Sequence, residues 1–403
     1  MVGMNKLEYI FFPMGVIVIL AHLARNISGL YYIFISITLL GFVALSFLYY
    51  QSNKFKKILV IILILFLYVI IASFLADVLD SISIGVARLF YLSPVILYFF
   101  SREFSRSQSI NFWKIILWFI VASSFTILLQ YIIGPISWFA DPSGRAGTDR
   151  FASLAGSLTV YGSLVGVAII LSKFIYSNYF IYLPALFILC LGALLSLQKM
   201  AFFSVALSVL IAWISTRDKI SFSKILLLLL FVIFNAFALY YILLDYFPDH
   251  FSYASLIFTS DASEVGDFSV GESIVDRMTH LPLEAFSHWD DINILFGVGV
   301  FGGSGGLGYP DLPMAHNLIA EIFLIFGVIF GLLIVVVIFK YLLISLRLLY
   351  STSDVRIRLA ASSYIIIVLT NFFSGGLFYQ PVTGLIFWFS FSELYKLNRN
   401  VKI

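Results

Sequence analysis

The chain has 403 residues, of which 62% are hydrophobic and only 11% charged, and its formal net charge is +3. Soluble domains carry about 25% charged residues, and with a mean hydropathy of +1.05 this much apolar surface cannot be hidden in a water-soluble fold. One cysteine, Cys190, excludes a disulfide framework and a cysteine-based metal site.

Spans of about 20 apolar residues recur along the chain. Twelve are expected, near 9–24, 30–50, 57–76, 82–100, 112–134, 155–172, 179–197, 200–215, 225–245, 317–338, 359–377 and 381–395. The first follows Lys6 without a small-x-small cleavage site, so a membrane helix is expected there and not a removable leader. The breaks at Ser196–Met200 and Tyr379–Pro381 are short enough for kinks or tight turns. The expected fold is therefore all-α, a single integral membrane domain over 1–403. Two external loops interrupt it, a short one at 135–154 and a large, mostly helical one at 246–315 between the ninth and tenth spans. There is no internal repeat, no phosphate-binding loop and nothing that points to nucleic acid.

An even number of spans puts both termini on one side, and basic residues favour the cytoplasm. With the termini inside, Lys6, Lys54, Lys56, Lys57, Arg102, Arg106, Lys114, Lys173, Arg217, Lys219, Lys224, Lys340, Arg347, Arg356, Arg358, Lys396, Arg399 and Lys402 all fall in cytoplasmic segments. Six of the 24 lysines and arginines do not: Arg25, Arg88, Arg145, Arg150, Lys199 and Arg277. These lie outside or in outer membrane halves, where sidedness gives them no task. Arg88 stands within an expected span, where a charge is costly, with Asp77 and Asp80 as candidate partners. Arg145 could equally pair with Asp141 or Asp149, and Arg277 with Glu272 or Asp276.

The tenth span opens unusually, as "PMAHNLIAEIFLIFGVIFGLL" (Pro313–Leu333). His316 and Asn317 stand at its mouth and Glu321 one turn further in. On a continuous helix, Ala320, Phe323, Gly327 and Gly331 share the His316 side, and Gly327 with Gly331 makes a small-xxx-small step for close helix approach. Asn317 and Glu321, four apart, could hydrogen-bond to each other. An imidazole of ordinary pKa suits a general base, whereas the plainer reading is a polar helix cap. Elsewhere "GGSGG" (Gly302–Gly306) lacks the strand and helix of a nucleophile elbow. Asp290-Asp291 and the pair His280 and His288 lack metal-ligand spacing, so no metal site is expected.

His316-Asn317 followed by glycines eleven and fifteen residues after the histidine resembles the signature of the O-antigen polymerase and O-antigen ligase superfamily. "NILFGVGVFGGSGG" before it is similar to that family's glycine-containing segment. "RFASLAGSLTVYGSLVG" (Arg150–Gly166) resembles its arginine-containing external loop, with Leu158-Thr159 where a Pro-Asn pair is usual. "LLSLQKMAFFSVAL" resembles its Ser-Arg-Gly segment but reads Gln198-Lys199-Met200, which keeps a charge and loses the bidentate fork. The resemblance covers roughly 145–335.

It implies a glycosyltransferase at the periplasmic face of a bacterial inner membrane, multi-pass with both termini cytoplasmic. Donor and acceptor would be undecaprenyl-diphosphate-linked repeat units, with no cofactor and no metal. Membrane lipids surround it, and a chain-length regulator is a candidate protein partner. His316 would activate or orient the acceptor hydroxyl. Arg150, Arg277, Arg145 and Lys199 would hold the diphosphate, with Asn317, Glu321 and Arg88 as further binding candidates. Cations suit the negative charge that grows on a departing diphosphate. A ligase, which passes the glycan to lipid A-core, is the alternative, and a flippase for lipid-linked sugars the rival from another class.

Overall fold

The computed structural model describes residues 104–136, 143–145, 148–156, 158–176, 178–196, 198–215, 279, 283, 286, 291–297, 317–377 and 380–400. The first four expected spans, the ninth, and most of the large loop lie outside these residues.

Eight helices and one small hairpin make up the described part. The helices are α1 (Arg106–Ile133), α2 (Leu158–Ile175), α3 (Tyr179–Leu195), α4 (Lys199–Ser215), α5 (Asp291–Phe296), α6 (Leu318–Ser351), α7 (Val355–Ser374) and α8 (Pro381–Asn400). Strands β1 (Ser143–Arg145) and β2 (Thr148–Arg150) pair antiparallel, Ser143 opposite Arg150, in the short loop. Helix thus dominates, as composition requires. Four helices, α1, α2, α6 and α7, are long and apolar enough to cross a membrane, and α3 and α4 are shorter apolar helices.

Capping chemistry moves several ends away from the hydropathy boundaries. α1 begins six residues before the expected 112 because Ser105 and Gln108 form a reciprocal capping box. Asn178 and Asp354 cap α3 and α7 by accepting from Phe180 N and Arg356 N. Short turns between α3 and α4 and between α6 and α7 then force neighbouring helices to alternate in direction.

α2 is the centre. Its residues from Val160 through Ser172 are all buried, the mark of a helix hydrophobic all round, and α1, α3, α4 and α7 surround it. The tightest seam is with α4. A β-carbon on Gly162 would stand 3.0 Å from Ala201 N, and one on Gly166 would strike the Ser204 backbone. Ser204 Oγ donates to Gly162 O at 2.6 Å. Because the partner numbers rise together, α2 and α4 run parallel, joined by a small-xxx-small step.

α6 is not the single span expected at 317–338. Gly327 has φ +65° and ψ −178°, a non-helical break that favours glycine. In an unbroken helix residues eight apart are separated by about 12 Å. Here a β-carbon on Gly331 would lie 3.5 Å from Phe323 Cα. The chain therefore folds back at Gly327, with a short leg (318–326) alongside a long leg (328–351). A wholly apolar cleft confirms the fold-back, since Leu318, Ile319 and Ile322 share it with Val335, Ile338 and Leu342. The long leg, 24 residues or about 36 Å, can cross a bilayer by itself. It carries the exposed apolar residues Ile329, Phe330, Leu332, Leu333 and Val336, while most of the short leg is buried.

Candidate functional site

Two ends of the bundle carry polar chemistry. At one, Arg106 Nη2 meets Asp354 Oδ1 at 3.3 Å, joining the starts of α1 and α7. Glu393 on α8, wholly buried, takes both Arg356 Nε and Lys396 Nζ, the latter at 3.3 Å. Lys396 also donates to Phe104 O at 3.4 Å. Phe389 sits among Phe104, Phe112 and Trp113, with centroids 4.6 to 5.9 Å away. Arg106, Arg356 and Lys396 were all expected on one side of the membrane, and they gather at one end.

The opposite end holds the candidate site. Here α1 and α3 finish, α2 and α4 begin, and the short leg of α6 starts beside the end of α7. Gln130, buried in the last turn of α1, fixes the loop that follows. Its Nε2 donates to Ala152 O at 2.8 Å and its Oε1 accepts from Ile136 N at 3.2 Å. Thr126 Oγ1 accepts from Leu154 N at 3.1 Å. Tyr131 packs edge-on against Phe151 at 4.9 Å and donates its hydroxyl to Leu195 O at 2.9 Å. Arg150, next to Phe151, is buried, and a guanidinium in that position keeps its charge. Leu195 ends α3 only four residues before Lys199 opens α4. Tyr131 thus ties the Arg150 loop to the turn that carries Lys199, which is half-buried.

From Lys199 the packing continues to the other motif. Phe203, one turn along α4, meets Phe373 of α7 edge-on at 5.6 Å. Two residues beyond Phe373, α7 ends at Gly375 and Gly376, with φ of +67° and +89°. This double left-handed turn aims the Gly376 N–H at Glu321 Oε1, 2.6 Å away. A β-carbon on Gly375 would strike that same oxygen and lie 3.2 Å from Asn317 N, so the turn fits only without a side chain. Glu321 is wholly buried and lies in the first turn of the short leg, where the positive end of the helix favours a carboxylate.

Asn317 is the N-cap of that leg. Its Oδ1 accepts from Ile319 N at 2.9 Å and Ala320 N at 3.3 Å. The capping reading of Asn317 is therefore the one the geometry supports. The cap is buried, with its backbone N beside Gly375 at the end of α7. Ala320 and Phe323 share no continuous helix side with Gly331, because the chain reverses at Gly327. Gly327 does receive a close approach, but from the Leu295–Gly297 backbone, and Gly331 receives Phe323 of its own helix.

Of the eight candidates, Arg150, Lys199, Asn317 and Glu321 are brought to one end by this continuous packing. Arg145 is in β1, paired with Thr148. His316, Arg277 and Arg88 lie outside the described residues. Among the described residues, no group of three or more His, Cys, Asp or Glu side chains is gathered as metal ligands. Three contributors escaped the sequence reading: Gln130, Tyr131 and the Gly375-Gly376 turn. The amide in "TILLQYII" and the adjacent glycines in "FFSGGLF" were the signals. The assembly gathers a buried guanidinium, a half-buried ammonium, a buried carboxylate and an amide cap at one end of the bundle. No protein-family model matches the chain, and no curated protein matches it significantly.

Proposed function

We propose that this chain is a glycan polymerase of the O-antigen type, acting at the external face of a bacterial inner membrane on undecaprenyl-diphosphate-linked repeat units. What carries the reading is convergence: the Arg150 loop, Lys199 and the Asn317–Glu321 helix start, far apart in sequence, meet at one end of the bundle. In the proposed reaction an acceptor sugar hydroxyl attacks the donor's anomeric carbon. The new C–O bond forms as the bond to the diphosphate breaks. The diphosphate leaves with the electron pair, and His316 takes the hydroxyl proton. Arg150 and Lys199, with Arg277 and Arg145, offset the negative charge that grows on the leaving group. Asn317 fixes the backbone beside His316, and Glu321 holds that helix start against α7 while its negative charge helps to bind the incoming sugar.

The folded-back helix favours a second reading, transport of the same lipid-linked sugars, because buried half-helix starts line many transporter sites. One experiment tests both. Purified protein in vesicles receives lipid-linked repeat units alone. Chain extension supports the polymerase, and His316→Ala should abolish it while leaving membrane insertion intact. Passage across the bilayer without extension supports transport. Glycan transfer that appears only when lipid A-core is added supports the ligase.

A further inference from the structure

The large external loop reads as polar, with ten carboxylates between Phe247 and Ala315. Its described part behaves otherwise. α5 ends in Ile294, Leu295 and Phe296, which are 42%, 46% and 37% exposed. A polar loop surrounded by water gives no reason for three consecutive bare apolar side chains.

Their location supplies one. Gly297, immediately after α5, has φ +76° and lies backbone against backbone with Ile325 and Gly327 at the turn of α6. On the inner side, Phe286 packs on Ala320 and Leu324 of the short leg. The segment is thus fixed to the hairpin tip. From that tip the long leg starts directly with Val328, Ile329 and Phe330, 38%, 52% and 42% exposed, on a helix long and apolar enough to cross a membrane. Because the long leg exceeds the hydrocarbon core by only a few ångströms, its first residues stand at the boundary between acyl chains and headgroups. The bare residues of α5 are set beside them at that depth.

We infer that α5 is an interfacial anchor, with Ile294, Leu295 and Phe296 inserted among the lipids of the leaflet at the Gly327 end. The occupant of this apolar face is the bilayer that already covers the long leg. A soluble partner would have to share one continuous surface with acyl chains. Short apolar segments of this kind bury about 5–10 Å into the headgroup and acyl boundary. The anchor holds the loop down at the turn of α6 whichever reaction the chain performs.

The test uses the full chain in phosphatidylcholine vesicles, in a Cys190→Ser background. Single cysteines at Ile294, Leu295 and Phe296 carry an environment-sensitive fluorophore, with Ile329→Cys as the lipid-facing reference. Quenching by lipids with a shallow nitroxide should reach at least half of that at Ile329→Cys, and aqueous iodide should quench little. Iodide quenching without lipid quenching would overturn the anchor and leave a water-facing patch. Protection from both quenchers would also overturn it, by showing protein cover. Should labelling perturb the fold, the unsubstituted chain can be photocrosslinked to a headgroup-proximal lipid probe. Adducts on the peptide holding 291–297 support insertion, and their absence while 328–333 is labelled rejects it.

Discussion

The two ends of this bundle are held together in different ways. At the Arg106 end, side chains do the joining: Asp354 caps α7 and meets Arg106, and Glu393 gathers Arg356 and Lys396. At the Gly375 end, main chain does much of it. Gly376 N–H meets Glu321, and the Leu295–Gly297 backbone lies on Gly327. Side-chain ion pairs tolerate small displacements, whereas backbone contacts through left-handed glycines leave no slack. Geometry is therefore most constrained at the end where the candidate site lies, and a stiff shell is what a site needs to keep its groups in place.

Substitutions can break or sharpen this contrast. The largest effect is expected from Gly327→Val. A β-branched residue at φ +65° is strained, and its β-carbon would strike Leu295 O. The expected loss is about 4 kcal/mol of unfolding free energy, measured by denaturant titration in mixed micelles. A loss under about 1 kcal/mol would mean that the backbone contact at this end has slack after all. Next comes Glu393→Ala, which strands two cations that are mostly buried. About 3 kcal/mol should be lost, with residual activity per folded molecule unchanged, because this end only holds the fold. Reduced activity in the folded fraction would blur the division between the ends.

Glu321→Gln should behave in the opposite sense. The amide oxygen still accepts from Gly376 N–H, so only about 1 kcal/mol of stability goes with the lost charge. Polymerising activity should fall at least tenfold, read from chain length in the vesicle assay. Full activity would reduce Glu321 to a structural tie. The smallest effect belongs to Arg106→Ala. Its side chain is 64% exposed, and such pairs are worth about 0.5 kcal/mol or less. Adding 1 M salt to the unsubstituted protein should change the unfolding midpoint equally little.

Much of the described fold was legible in the sequence. Apolar runs gave α1, α2, α3, α4, α7 and α8 to within a few residues at most ends, because membrane spans are set by length and hydropathy. What failed was α6. A glycine in an apolar run looks the same whether it continues a helix or reverses it, so Gly327 read as a packing surface. The small-xxx-small packing step lies instead at Gly162 and Gly166. In the candidate site, Arg150 and Lys199 were legible as cations that sidedness did not require. Gln130 and Tyr131, which hold the loop around them, were hidden because an amide and a phenol in a span carry no charge to betray them.

The parallel seam between α2 and α4 has a consequence for Lys199. The height of Lys199 along the bundle follows from how its helix packs. That is set by the register of Ala201 and Ser204 on Gly162 and Gly166. A slip of one residue along the seam would swing Lys199 by about 100° and shift it about 1.5 Å. Two glycines on a neighbouring helix, neither of them polar, thus act as the index marks that determine where a charge stands at this end of the bundle.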